Sequence, residues 1–148
     1  MHRLTLFTVG KVKTPWILDG CQMYIDRLKH SCDFREQILS SGSAVEEHER
    51  LSKALSKIDG AIVLLDERGK MMTSPGLATF ISSKRDHGTP ITFCIGGAYG
   101  FNDALRSTAS MVLSLSSMTF PHELCKLLFL EQLFRAESIL AGSGYHHG

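Results

Sequence analysis

The chain has 148 residues, 43% hydrophobic and 21% charged, with 13 Gly and 4 Pro. These are the proportions of a folded globular domain, and they exclude disordered, collagen-like and small disulfide-scaffold classes. A formal net charge of +1 excludes nucleic-acid binding by bulk charge, so such a partner must be met by a local patch, a dimer surface or a helper molecule.

One domain spanning residues 1–148 is expected, since at this size roughly 68–70% of the unfolded chain's surface can be buried without a disulfide or metal. Cys21, Cys32, Cys94 and Cys125 are scattered through apolar stretches with no C-x-x-C pair, which fits a reducing cytoplasm. No metal site is expected from them. The opening residues lack the long apolar region and cleavage site of a secretory signal, and no apolar run reaches the roughly 18 residues of a membrane helix.

Short apolar runs alternate with amphipathic stretches along the whole length, the pattern of a mainly parallel α/β sheet with helices on both faces. The first strand is Arg3 to Val9. Thr14-Pro15 then opens a helix whose stripe is Leu18, Cys21, Ile25 and Leu28. A second strand near Phe34 to Leu39 is interrupted by Arg35-Glu36-Gln37, which places it at an edge. Ser43-x-x-Glu46 is a capping box, and Leu51, Leu55 and Ile58 form the buried face of the helix it starts, ended by Gly60.

Ala61 to Leu65 is apolar throughout, as a strand covered on both faces should be. Ser74-Pro75 starts the next helix, with Leu77, Phe80 and Ile81 inward and Gly88 stopping it. Ile91 to Ile95 is a fourth strand. A short helix capped by Asn102 or Asp103 follows, Met111 begins a fifth strand, and Pro121 opens a final helix to about Ala141. Leu127-Leu128-Phe129-Leu130 covers every side of one helical turn, so this helix must be buried on more than one face, by a second chain or by its own.

In parallel sheets ligands bind beyond the carboxyl ends of the strands. Three segments there carry unusual content: Leu65 to Gly69, Gly96-Gly97-Ala98-Tyr99-Gly100, and Leu115-Ser116-Ser117-Met118-Thr119-Phe120-Pro121. If their strands are neighbours, the segments share one pocket. Taken singly, each has a plain alternative. Glycines after a strand often only permit a tight turn, and Ser116 to Thr119 has the composition of a capped helix entry. Asp66-Glu67-Arg68 offers a general acid or base but equally a solvated loop with an internal ion pair. Glu131 and Arg135 have the spacing of a pair on one helix, His122 that of a polar first-turn residue, and Tyr145-His146-His147 that of a terminal tail. The Gly-Gly turn is neither a dinucleotide fingerprint nor a P-loop, which disfavours nicotinamide and flavin cofactors.

Together these segments resemble the ribosomal RNA large subunit methyltransferase H family. The matching residues are Leu65 to Gly69, Phe93 to Gly100, Leu113 to His122, Glu131-Gln132-Leu133-Phe134-Arg135-Ala136, and Gly142 with Tyr145-His146-His147. The resemblance implies a C-terminal trefoil knot, a homodimer and methyl transfer from S-adenosyl-L-methionine to N3 of a pseudouridine in large-subunit ribosomal RNA, and the near-neutral charge suggests that the substrate is an already shaped particle such as an assembled ribosome. The resemblance places cofactor contacts on Leu65, Gly96, Gly97, Gly100 and Leu115, Ser116, Ser117, Met118, Thr119 and Phe120. Because N3 carries a proton that must leave, a base is needed, and His146 is the expected one, with Tyr145 orienting the base or the RNA and Arg135 or His122 steadying the developing negative charge or a phosphate.

The chain departs from the family pattern at Lys126, commonly Arg, at Phe134, commonly Tyr, and in a shorter, less basic segment from Ser40 to Ala44. Two rival functions remain: a ribosome-binding module without catalysis, and a small-nucleotide-binding protein unrelated to RNA.

Overall fold

The computed structural model describes residues Met1–Gly148. The elements in chain order are β1 (Arg3–Val9), α1 (Pro15–Leu28), β2 (Asp33–Leu39), α2 (Ala44–Leu55), β3 (Ala61–Met71), α3 (Ser74–Asp86), β4 (Ile91–Ile95), α4 (Asp103–Thr108), β5 (Met111–Ser114) and α5 (His122–Ala141). The five strands are parallel, in the order β2-β1-β4-β3-β5. Helices α1, α3 and α5 cover one face and α2 with α4 the other, so β1, β3 and β4 read as apolar runs. No helix is long and apolar enough to cross a membrane.

β2 lies at an edge, its middle residues exposed, as its charged centre requires. The capping box forms: Ser43 Oγ accepts the Glu46 N–H and the Glu46 carboxylate accepts the Ser43 N–H. In α1 the buried stripe is Ile17, Cys21, Ile25 and Leu28, and Leu18 is half exposed. Both phases fit helical spacing, and packing on the sheet selects Ile17. Likewise Ala78 takes the fully buried place beside Leu77 and Ile81 while Phe80 is only half-buried, and Ile58 lies beyond the end of α2.

The segment from Asp66 to Gly69 is an interruption within β3. Leu65 and Lys70 both align with Leu113 of β5, so four residues loop out of the strand and the chain then rejoins the same ladder. Gly69 closes this loop: a Cβ there would lie 2.6 Å from the carbonyl carbon and oxygen of Val112.

α5 runs between α1 and α3 and over β4. Phe129, Leu130, Leu133 and Ala136 are buried, Leu127 packs on Gly20 of α1, and Leu128 alone of the four-residue apolar turn is exposed. The chain itself therefore covers most of the turn. Two ion pairs anchor the helix. Lys126 Nζ lies 2.9 Å from Glu36 on β2, so its partner is a carboxylate within the fold. Glu137, 4% exposed, accepts from Arg85 Nη2 at 2.7 and 2.6 Å, tying α5 to α3. Removing one partner of such a pair strands a buried charge. Arg85→Ala is expected to cost about 3 kcal/mol, lowering the melting temperature by about 6–12 °C in a thermal scan.

Candidate active site

Because β4, β3 and β5 are adjacent, the segments leaving their carboxyl ends converge, and a cavity of about 700 Å³ opens among them. That volume suits a cofactor-sized ligand. Leu65, Gly96, Gly97, Gly100, Leu115, Ser116, Met118, Thr119 and Phe120 line it, whereas Ser117 does not. Asp66, Glu67, Arg68, Asn102, Asp103, Arg106, His122 and Cys125 complete much of the wall.

The wall is held by polar bonds between its parts. Asp66 accepts from the Arg68 N–H at 3.0 Å and from Arg106 Nε at 3.0 Å, and Arg106 Nη1 donates to Asp103 at 2.9 Å. The Thr119 hydroxyl donates to Glu67 at 2.5 Å, joining the β3 loop to the segment after β5. Within that segment Ser114 Oγ donates to the Ser116 carbonyl and Ser116 Oγ accepts the Met118 N–H. Asp66 and Glu67 thus act as struts here. Cys125 adds no nucleophile, since burial pushes its thiol up to about 11.

The Gly96–Gly100 turn is folded against its surroundings. A Cβ on Gly96 would come within 3.0 Å of the Gly100 carbonyl oxygen, and one on Gly97 within 2.5 Å of Glu47 Oε1. Bare backbone therefore faces the cavity, beside the apolar side chains of Leu65, Ile95, Leu115 and Phe120. An adenine ring with backbone partners fits such a surface. The charges in the wall are three carboxylates, Asp66, Glu67 and Asp103, against two guanidiniums, Arg68 and Arg106, with no lysine. A sulfonium cation fits this balance, and a polyphosphate does not.

Arg135, Tyr145 and His146 lie elsewhere, together. Arg135 donates through Nε and Nη2 to Glu131 Oε1 at 2.9 and 2.6 Å, and through Nη1 to His146 Nδ1 at 3.0 Å. A guanidinium only donates, so Nδ1 accepts and the imidazole proton sits on Nε2. The Tyr145 hydroxyl donates to Glu131 at 3.3 Å, its ring and that of Phe134 meet edge to face at 4.8 Å, and the Arg135 guanidinium lies over the Tyr145 ring at 4.9 Å. Burial, with Tyr24 and Glu131 adding to it, pushes the Tyr145 phenol up to about 12, so it stays a donor at neutral pH. Phe134 also meets Tyr24 and the Arg27 guanidinium, which makes this an aromatic cluster. None of the three lines the cavity. Arg135 is thirteen residues beyond His122, about 20 Å along the helix axis.

A family described as "Predicted SPOUT methyltransferase" matches residues 2–146. The chain is 44% identical over 98% of its length to "Ribosomal RNA large subunit methyltransferase H" of Geobacter sp. (strain M21), covering 99% of that protein. Proteins of the same name from Geotalea daltonii and from Nitratidesulfovibrio vulgaris (strain Miyazaki F) are 45% and 39% identical, over 98% and 99% of the chain and 99% and 100% of theirs. The chain belongs to the ribosomal RNA large subunit methyltransferase H family. The parallel α/β architecture is thus that of a SPOUT methyltransferase.

Sequence reasoning passed over Glu47, His48 and Arg106. Arg106 carried no signal, because its partner Asp66 is forty residues away. Glu47 did carry one: it stands four and eight residues before Leu51 and Leu55, a carboxylate on the buried stripe of α2.

Proposed function

We propose that this methyltransferase transfers a methyl group from S-adenosyl-L-methionine to N3 of a pseudouridine in large-subunit ribosomal RNA, on the assembled ribosome and as a homodimer in the cytoplasm. The observation that carries the proposal is the cavity of about 700 Å³, backbone-lined and slightly acidic, formed where the segments expected to contact the cofactor converge. When bound, the donor supplies a methyl carbon open to direct displacement. The protein's part is to hold the acceptor nitrogen in line with it and to remove that nitrogen's proton.

His146 is the proposed base. In the resting arrangement its Nδ1 lone pair is occupied by Arg135, and a phosphate of the incoming RNA competes for that guanidinium. Tyr145, protonated, orients the pair through Glu131. The separation of this cluster from its own cavity supports a site completed by a second copy. An apolar seam between α1 and α5 is available for the partner: Trp16 is 63% exposed, Met23 and Leu128 42% each, beside the Gly20–Leu127 contact. The knot belongs to the same proposal, supported by the return of α5 from the edge strand β5 to the middle of the sheet. The four free thiols fit a reducing compartment.

The near-neutral chain favours a shaped particle over naked RNA as substrate. The decisive assay is incorporation of labelled methyl into 70S ribosomes, free 50S subunits and deproteinised RNA from cells lacking this protein, followed by mass spectrometry of the modified nucleoside. Methylation of ribosomal particles at N3 of a pseudouridine is expected. Cofactor binding without incorporation would favour the non-catalytic ribosome-binding module.

A further inference from the structure

Glu47 has no role in the chemistry above, yet it is a carboxylate at 4% exposure on the sheet-facing side of α2. Its Oε2 accepts the Gly42 N–H at 3.0 Å, while Oε1, equally enclosed, has no hydrogen-bond partner. A residue serving only to fill this place would be apolar, as Leu51 and Leu55 are on the same stripe, because an unpaired buried oxygen opposes folding. Oε1 lies directly against the cofactor loop, at the place where Gly97 lacks a side chain. The adjacent residue, His48, reaches the other end of the loop, with Nε2 3.2 Å from the Gly100 carbonyl oxygen, and so donates there. Two neighbours on one helix therefore touch both ends of the Gly96–Gly100 turn. The same carboxylate also grips the β2–α2 loop at Gly42.

We propose that Glu47 is a positioning residue of the methyl-donor site: its free Oε1 takes a backbone N–H of the Gly96–Gly100 turn as that turn settles on bound donor. Through Oε2 the change is passed to Gly42, so occupancy of the cavity and the conformation of the β2–α2 loop are coupled. The inference rests on the assignment of the cavity to S-adenosyl-L-methionine.

The test is calorimetric titration of the full-length protein with S-adenosyl-L-methionine, combined with amide hydrogen exchange at Gly42 with and without that donor. For E47A the expected result is affinity weakened about tenfold, with E47Q recovering only part of the loss and none of the coupling to Gly42, because its amide offers one acceptor oxygen where two N–H groups need one each. In the wild type, donor binding should slow exchange at Gly42, and in E47A it should not. G97A forces a Cβ against Oε1 and should weaken binding. Adding E47A to it, which removes that oxygen, should then cost nothing further. If circular dichroism shows E47A unfolded, E47Q and G97A decide alone through the same two readouts. Affinity in E47A equal to wild type, or Gly42 exchange indifferent to donor in the wild type, would overturn the inference while leaving the cavity assignment standing. A wild type that binds no donor would overturn that assignment, and this inference with it.

Discussion

Gly69→Ala is expected to abolish donor binding and to leave little soluble protein. The added methyl would sit 2.6 Å from the Val112 carbonyl group and 2.8 Å from the Leu113 nitrogen, all backbone atoms of β5. No rotamer change relieves such a contact, so β5 must separate from β3 or the loop from Asp66 to Gly69 must reopen. Either movement reaches the cavity at once. Leu113 aligns with both Leu65 and Lys70, and Asp66, Glu67 and Arg68 form one wall. A destabilisation of about 3 kcal/mol or more is the expected order, since overpacking here is against main chain rather than a yielding side chain. Chemical denaturation of any soluble fraction, set beside calorimetry with the donor, checks it. Gly88→Ala is the control: nothing lies within 4 Å of its Cβ, and its cost should be confined to the backbone strain of φ +67°.

The same glycine shows where the sequence stops being informative. Strands β1, β3 and β4 are legible because burial on both faces forces predominantly apolar runs, broken only by threonines between Leu4 and Val9 and at Thr92, and the sheet's parallel character follows from the helices between them. The rejoining of β3 to its ladder after three charged residues and a glycine is not legible, because what restores it is a partner strand more than forty residues later. Cys21, Ile25 and Leu28 of the expected α1 stripe are buried, and only its first member differs, for a related reason: Ile17 and Leu18 both precede Cys21 at helical spacing, and only the underlying sheet chooses between them.

The site divides along the same line. Segments after strands can be placed in one cavity from chain order alone, provided their strands are neighbours, and nine of the ten expected donor contacts do line it. Ser117 does not, since Ser116 Oγ turns the backbone by holding the Met118 N–H. The position of Tyr145 and His146 depends on an Arg135 guanidinium and a Glu131 carboxylate, and no periodicity encodes how a tail folds back on a helix.

Arg135→Ala is expected to reduce methylation of ribosomal particles by about 100-fold or more while sparing donor affinity, because it touches no atom of the cavity. Gly96→Val should do the reverse: its branched side chain would meet the Gly100 carbonyl at 3.0 Å and fill the slot, removing donor binding. Mixing the two inactive variants after gentle dissociation then distinguishes where the site is assembled. In a two-fold dimer with random exchange half the molecules are mixed. Where cavity and Arg135 cluster come from different subunits, a mixed dimer carries one site with both defects and one with neither, so about a quarter of wild-type activity returns. Where both come from one chain, every site keeps one defect and no activity returns. The distance of about 20 Å along α5 between His122 at the cavity and Arg135 in the tail cluster makes recovery the expected result. A mixture as inactive as its parents, with exchange verified by mass-tagged subunits, would place the base and the donor in a single chain and remove His146 from the proposed mechanism.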